Sequence, residues 1–385
     1  MRETKDRLLE LLIFIGYSVE FPVQLSRRIG GSMDWNRHVM YRAIREGYVS
    51  LYRRKDKRYV IRSLSLTQKG FDYVAERDPD ALAMIYSRIS SSQKIYPSKV
   101  DKILRLHAIA YSLVAANAAG AIIQPARKPS LLRPLGLPTE IPVDPATAYY
   151  YSPQEIRAAF EEADDRTVAK GSRLIGIIVR GHRCYCMYYA GRTRMFWMRL
   201  TEENNAAAIL THLNVRGFKV RTLCQIVIGN SMNVAVKLCR SPNPFGDRYF
   251  VVSHFFDSVH FITNNAEGDE LLRLIINPDQ AMELNRLILS PYQPPRTTTR
   301  EYDAVDTESN RPVLINYACD LIPLSIARST PTGFDGGLIM LCFDYQVQTI
   351  QSIVGPSVEV RPIQIEGKYE KAKNQDRRKP GAADP

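Results

Sequence analysis

Two strand-like runs separated by a block of cations constrain this chain more than any other feature. Tyr48-Val49-Ser50-Leu51-Tyr52 and Tyr59-Val60-Ile61-Arg62-Ser63-Leu64-Ser65-Leu66 alternate with the period of a half-buried strand. Between them lies Arg53-Arg54-Lys55-Asp56-Lys57-Arg58, read as a charged turn with five cations in six residues. Three helical signals precede this hairpin. Leu8, Leu11, Leu12 and Ile15 recur at helical spacings over residues 5–16. Phe21-Pro22 opens a short helix through Leu25 to Ile29, since proline is tolerated in a first turn. After the turn Gly30-Gly31-Ser32, Asp34 is placed to cap a helix from Trp35 to Glu46 that ends at Gly47. One helical signal follows the hairpin: Thr67 caps a helix carrying Lys69, Gly70 and Val74.

The helix over residues 35–46 divides into two faces. Val39, Met40, Ala43 and Ile44 are expected to face inward, leaving Asn36, Arg37, Tyr41, Arg42 and Arg45 outward. Such a face suits the DNA major groove, where arginine reads guanine edges and asparagine reads adenine. Arg53, Arg54, Lys55, Lys57 and Arg58 suit flanking phosphates, contacts that position a protein without specifying sequence. The charge distribution points the same way. Residues 1–77 hold 16 Lys/Arg against 9 Asp/Glu, more than half of the chain's net +12. A basic excess concentrated in a small region is the footprint of a polyanion partner.

Composition excludes other classes. There is no run of about 18 uncharged apolar residues, so no membrane span or membrane partner is expected. The opening segment has a short apolar stretch flanked by acids and no small-residue cleavage site, so no secretory signal is expected. Six Cys without a framework spacing fit a reducing compartment, and the expected location is the cytoplasm.

Residues 78–98 read as a connector, 101–119 as a buried helix containing His107, and 124–144 as a Pro-rich loop. An α/β pattern follows. Ser152 and Glu155 form a capping box. Strands are expected at 173–179, 183–189, 194–200, 218–228, 249–254 and 259–262. Helices are expected from Glu202 after a Thr201 cap, over Met232–Leu238, and over Glu267–Ile275. Helix, three strands, helix, strand is the order of a restriction-endonuclease core. That chemistry needs an acid on the second strand and Glu-x-Lys on the third to hold Mg²⁺. Neither Cys184–Tyr189 nor Met195–Arg199 carries an acid, so the core is expected to be degenerate, with Glu155 the one acid in a usable place. Tyr188 and Tyr149-Tyr150-Tyr151, with Arg180, His182 and Arg183, make a thin version of a tyrosine nicking site. Cys184-x-Cys186 lacks the partners of a zinc site. Neither a catalytic set, a metal site nor a cofactor is assigned. Farther on, residues 291–312 read as a linker, 313–322, 337–345 and 358–365 as strand-like, and 366–385 as a disordered basic tail.

Particular motifs carry a resemblance. Leu64-Ser65-Leu66-Thr67-Gln68-Lys69-Gly70-Phe71 resembles the Leu-Thr-x-x-Gly step that closes the wing of many bacterial winged-helix regulators, and Glu46-Gly47-Tyr48-Val49 resembles the step from recognition helix to first wing strand. With Leu106-His107 and the Gly176–Trp197 region, the chain resembles the replication-relaxation family of Gram-positive mobile elements. The resemblance implies an N-terminal winged helix-turn-helix followed by a larger α/β domain. It also implies a role in plasmid replication, DNA relaxation or transfer, or their regulation.

The expected fold is therefore α+β. Its expected parts are a DNA-binding domain over 1–78, a connector and loop over 79–148, an α/β domain over 149–290, an extension over 291–365 and the tail. The expected partner is double-stranded DNA, with replication or conjugation proteins and a homodimer as further candidates. Two other readings are a regulator whose C-terminal part binds a ligand or partner, and a nickase accessory.

Overall fold

The computed structural model describes residues 6–55, 60–90, 100–132, 141–162, 172–192, 195–240, 249–295, 302–329 and 337–364. The chain is a mixed α and β protein that separates into two compact units, Met1–Ile276 and Asn277–Pro385. The unit boundary falls at 276/277 rather than at the 290/291 boundary read from composition.

The first unit begins with α1 (Arg7–Ser18). The Asp6 carboxylate accepts from the amides of Leu8 and Leu9 at 3.0 and 3.1 Å, filling two donors the first turn leaves open. A strand β1 (Phe21–Pro22) follows, then a 3₁₀ turn (Val23–Arg28) and α2 (Met33–Arg45). The short helix expected from Phe21-Pro22 forms as the 3₁₀ turn with Pro22 at its N-cap, and Phe21-Pro22 itself is a short strand. It pairs with Leu64 and Ser63 at a sheet edge, where proline's missing N–H breaks no ladder. Ser32, not Asp34, occupies the cap of α2, and Asp34 lies in its first turn, where the helix dipole favours an acid.

The hairpin is β2 (Val49–Lys55) and β3 (Val60–Leu66), in a sheet of order β1-β3-β2. The ladder extends to the pair Lys55↔Val60, so Arg53, Arg54 and Lys55 are strand residues rather than turn residues. Then come α3 (Gln68–Arg77), α4 (Pro79–Ser90) and α5 (Val100–Ala118). Much of the expected connector is therefore the helix α4.

A five-stranded sheet completes this unit. Its elements are β4 (Tyr149–Tyr151), α6 (Pro153–Glu162), β5 (Gly176–Arg180), β6 (Arg183–Gly191), α7 (Arg199–Val215), β7 (Thr222–Gly229), α8 (Asn233–Arg240), β8 (Ser258–Thr263) and α9 (Ala266–Ile276). The order is β4-β5-β6-β7-β8. The first three strands are antiparallel and the last three parallel, joined by crossover helices. The strands are buried along nearly their whole length because helices cover both faces. On one face Tyr185 donates to the Ile275 carbonyl of α9 at 3.0 Å, and Tyr150 bonds Ser112 of α5 at 2.9 Å. On the other, Tyr188 packs edge-on against Trp197 and Tyr151 against Phe218.

The expected strands at 194–200 and 249–254 form only a single bridge, Phe196↔Tyr249. β6 already has β5 on one side and β7 on the other, so the residues after it find no free edge. Helix α7 starts at Arg199, ahead of Thr201. The third strand of the meander is instead supplied by β4, before the capping box.

The second unit contains α10 (Pro278–Leu289), β9 (Ala304–Val305), β10 (Pro312–Ile315), α11 (Leu321–Ser329), β11 (Leu338–Cys342), α12 (Val347–Val354) and β12 (Val358–Pro362). Its sheet has the order β12-β11-β10-β9, with β9 alone antiparallel. The expected linker 291–312 thus contains a strand, held where Asp303 accepts from the Ile315 amide at 2.7 Å. Residues 366–385 lie outside the described residues.

Candidate nucleic-acid interface

Helix α2 and the β2–β3 hairpin are fixed to one another by backbone geometry. Gly47, at φ 78°, ends α2 in a Schellman motif: the Gly47 amide donates to the Ile44 carbonyl at 3.1 Å and the Tyr48 amide to Ala43 at 2.9 Å. The chain enters β2 at once. At the far end of the hairpin Thr67 donates to the Gly47 carbonyl at 2.6 Å and accepts from the Gly70 amide at 3.3 Å, capping α3. Gly70 is dictated by contact: a Cβ there would lie 2.2 Å from the Tyr48 carbonyl oxygen. Lys69 completes the corner, with Nζ 2.9 Å from the Glu46 carbonyl and above the Tyr48 ring.

Four of the five helix residues expected to face outward do so. Arg37, Tyr41, Arg42 and Arg45 are exposed. Asn36 is not: it is buried with Met40 and Ala43, and its amide donates to the Gly30 carbonyl at 2.7 Å and to Ile29 at 3.4 Å. Asn36 braces the glycine turn and is unavailable to a base. The Arg37 guanidinium lies 5.7 Å from the centre of the Tyr41 ring, and Arg42 pairs with Glu46 at 2.9 Å. That pairing raises the Arg42 pKa. Arg45 extends into solvent, with 80% of its side chain exposed.

On the hairpin Arg53 and Lys55 are exposed and Arg54 is half-buried, while Lys57 and Arg58 lie outside the described residues. Register adds one cation that composition alone did not single out. Arg53 stands directly opposite Arg62, and both are exposed. Like charges directly opposite on a sheet repel. His38, also exposed on α2, was missed as well; its helical position four residues after Asp34 was the available signal.

This surface is rooted in a polar core. Ser63 Oγ lies 2.5 Å from His107 Nε2 of α5, and Glu20 is buried beside them. Burial pushes the Glu20 carboxyl up to about 7, with a hydrogen bond to Ser63 opposing, and pulls the His107 ring down to about 4. Farther along the same unit, Arg28 at the end of the 3₁₀ turn grips Asp269 of α9 through two bonds of 3.0 and 2.5 Å and donates to Asn264 at 2.5 Å. Gln24 donates to Tyr111 of α5 at 3.1 Å.

The residues weighed for other chemistry are otherwise engaged. Glu155 accepts from the Ser152 amide and hydroxyl, both at 2.8 Å, and pairs with the buried Lys128 at 2.7 Å. Its capping role is as expected, and the carboxylate is consumed by it. Tyr149, Tyr150, Tyr151 and Tyr188 are buried, and burial raises the Tyr188 pKa, which is the wrong direction for a nucleophile. Cys184 and Cys186 are buried inside the sheet, and the neighbouring Cys186 thiol together with burial raises the Cys184 pKa. Among the described residues there is no group of three metal-ligating side chains, and no helix long and apolar enough to cross a membrane. A groove of about 410 Å³ runs between α1 and residues 117–127, with Leu9, Ile13 and Ile122 on its walls and Asp6, Glu10 and Arg127 at its rim. Comparison with protein-family models, with curated proteins and with solved structures finds no match to this chain.

Proposed function

We propose that this protein binds duplex DNA, with α2 as the recognition helix of a winged helix and β2–β3 as its wing. The observation that carries this reading is the direct opposition of Arg53 and Arg62 on the hairpin, beside an α2 whose outward face holds Arg37, Arg42 and Arg45. The helix has the size and charge to enter a major groove, and the hairpin cations suit the phosphates that flank it. The five-stranded sheet of the same unit serves as the platform. Its meander β4-β5-β6 and parallel β7 are compatible with a degenerate endonuclease-like core, since β5 and β6 carry no acid. The motif-level resemblance of residues 46–49 and 64–71 to the replication-relaxation family supports a role for that binding in replication, relaxation or transfer of a mobile element, or in its regulation. The groove beside α1 favours one second reading, a regulator that takes a small ligand there.

The test is fluorescence anisotropy on duplexes at several salt concentrations. Arg53→Ala with Arg62→Ala is expected to weaken binding about equally across sequences and to flatten the log–log salt slope by about 2. Arg45→Ala is expected to relax site preference. An unaltered salt slope in the hairpin double variant would remove the wing assignment.

A further inference from the structure

The chemistry of the α2 surface narrows which bases it can read, granted the DNA-binding reading above. At 3.6 residues per turn, Asp34, His38, Tyr41 and Arg45 form the pole opposite the buried Asn36, Met40 and Ala43. Trp35 and Arg42 flank that pole on one side, and Arg37 and Met33 on the other. Adenine is read in the major groove by a bidentate amide from asparagine or glutamine. Asn36 is the one amide side chain on α2, and it is committed to the Gly30 turn. The exposed face therefore has no adenine-reading amide.

It has instead three large apolar side chains in water: Met33 at 59%, Trp35 at 58% and Tyr41 at 51% exposure. Tyr41 lies on the pole and Trp35 beside it, so a partner that covers this face meets both aromatic rings, while Met33 lies toward the opposite flank. Two features favour DNA over a protein partner as the cover. The same face carries Arg37, Arg42 and Arg45, and the adjoining hairpin carries the Arg53–Arg62 pair. In the major groove the apolar feature that such side chains can cover is the thymine 5-methyl group. The Arg37 guanidinium lies near the Tyr41 ring, so a methyl contact by Tyr41 and a guanine contact by Arg37 would fall on neighbouring base pairs.

We infer that α2 reads A·T pairs from the thymine side, through contact of Tyr41 and Trp35 with thymine methyl groups, alongside guanine contacts by its arginines. The preferred duplex then contains thymine next to guanine in the major groove facing α2.

The experiment uses the full-length protein and duplexes selected by it from a random library. Each selected thymine is then replaced by deoxyuridine, which removes the methyl and keeps every hydrogen-bonding group. The wild-type protein is expected to lose about fourfold in affinity per contacted methyl. Tyr41→Ala and Trp35→Ala are each expected to bind the thymine duplex more weakly and to discriminate less between thymine and deoxyuridine. Both side chains are exposed, so folding is preserved, and circular dichroism checks it. Equal wild-type affinity for the two duplexes overturns the inference while leaving DNA binding intact, and assigns the aromatic face to a protein partner. Discrimination that survives unchanged in both variants also overturns it. Failure to select any duplex removes the DNA-binding reading, and this inference with it.

Discussion

Glu20 shows how much chemistry a single buried residue can hold. It follows Val19, whose φ of 65° and ψ of −50° close a γ-turn with the Glu20 amide 2.7 Å from the Ser18 carbonyl. For a β-branched residue this conformation is strained. The turn brings Glu20 to the Ser63–His107 pair, where burial holds its carboxyl near 7 against 4.5 in an unfolded chain. The folded state therefore retains a proton that the unfolded state releases. The resulting stability is fully present below about pH 4.5 and is lost as pH rises through 7. His107 works from the other side: held at about 4 against 6.5, it contributes stability above 6.5 that is lost as pH falls through 4. Glu20→Gln is expected to stabilise the protein at pH 8 by on the order of 2 kcal/mol and to have little effect at pH 5. Urea denaturation of both proteins across that range checks this; parallel curves would show that Glu20 does not titrate there.

At the scale of elements, the corner joining α2, the hairpin and α3 was the most legible part of the chain. Gly47 and the Leu-Thr-x-x-Gly step act within a few residues of one another, and a Schellman turn or a threonine cap needs no distant partner. What sequence could not supply was why Gly70 is required: the reason is a carbonyl oxygen at Tyr48, brought beside it by the hairpin. Gly70→Ala is expected to destabilise by about 3 kcal/mol, because backbone cannot move aside as a side chain can. Thermal melts with Lys69→Ala as the neighbouring control measure it, and a drop no larger than the control's would refute the contact argument. Asn36 was misread for an instructive reason. Helical spacing alone puts it with Met40 and Ala43, and its polarity argued for solvent; the carbonyls of Ile29 and Gly30 resolve the conflict.

Over the first unit as a whole, the segment read as a separate DNA-binding domain is tied to the α/β sheet. Arg28 reaches Asp269 and Asn264, Gln24 reaches Tyr111, and Ser63 reaches His107. The attachments end on α5 and on the loop and helix after β8, so the turn leading into α2 is held against the platform. Asp269→Asn leaves the Arg28 guanidinium, only 16% exposed, without its counter-charge. The expected loss is about 3 kcal/mol in chemical denaturation. Arg28→Met with Asp269→Leu is expected to recover much of it, since replacing both charges removes the desolvation cost. Equal losses for the single and double variants would show that the pair does not act as a unit.

The sequence by itself determined the mixed α and β class, the helices α1, α2, α3 and α5, the hairpin, the capping box at Ser152 and Glu155, and the concentration of cations at one end. These rest on periodicity, caps and turns, which are interactions among residues a few positions apart. Tertiary structure alone decided sheet membership and burial of polar groups. Tyr149-Tyr150-Tyr151 forms β4 because β5 offers a free edge, while the equally strand-like residues 195–198 find none beside β6. Arg28 and Asp269 form a buried pair across more than two hundred residues of chain. No local pattern can encode such choices, because whether an edge is free or a charge is paired depends on elements that meet only when the chain has folded.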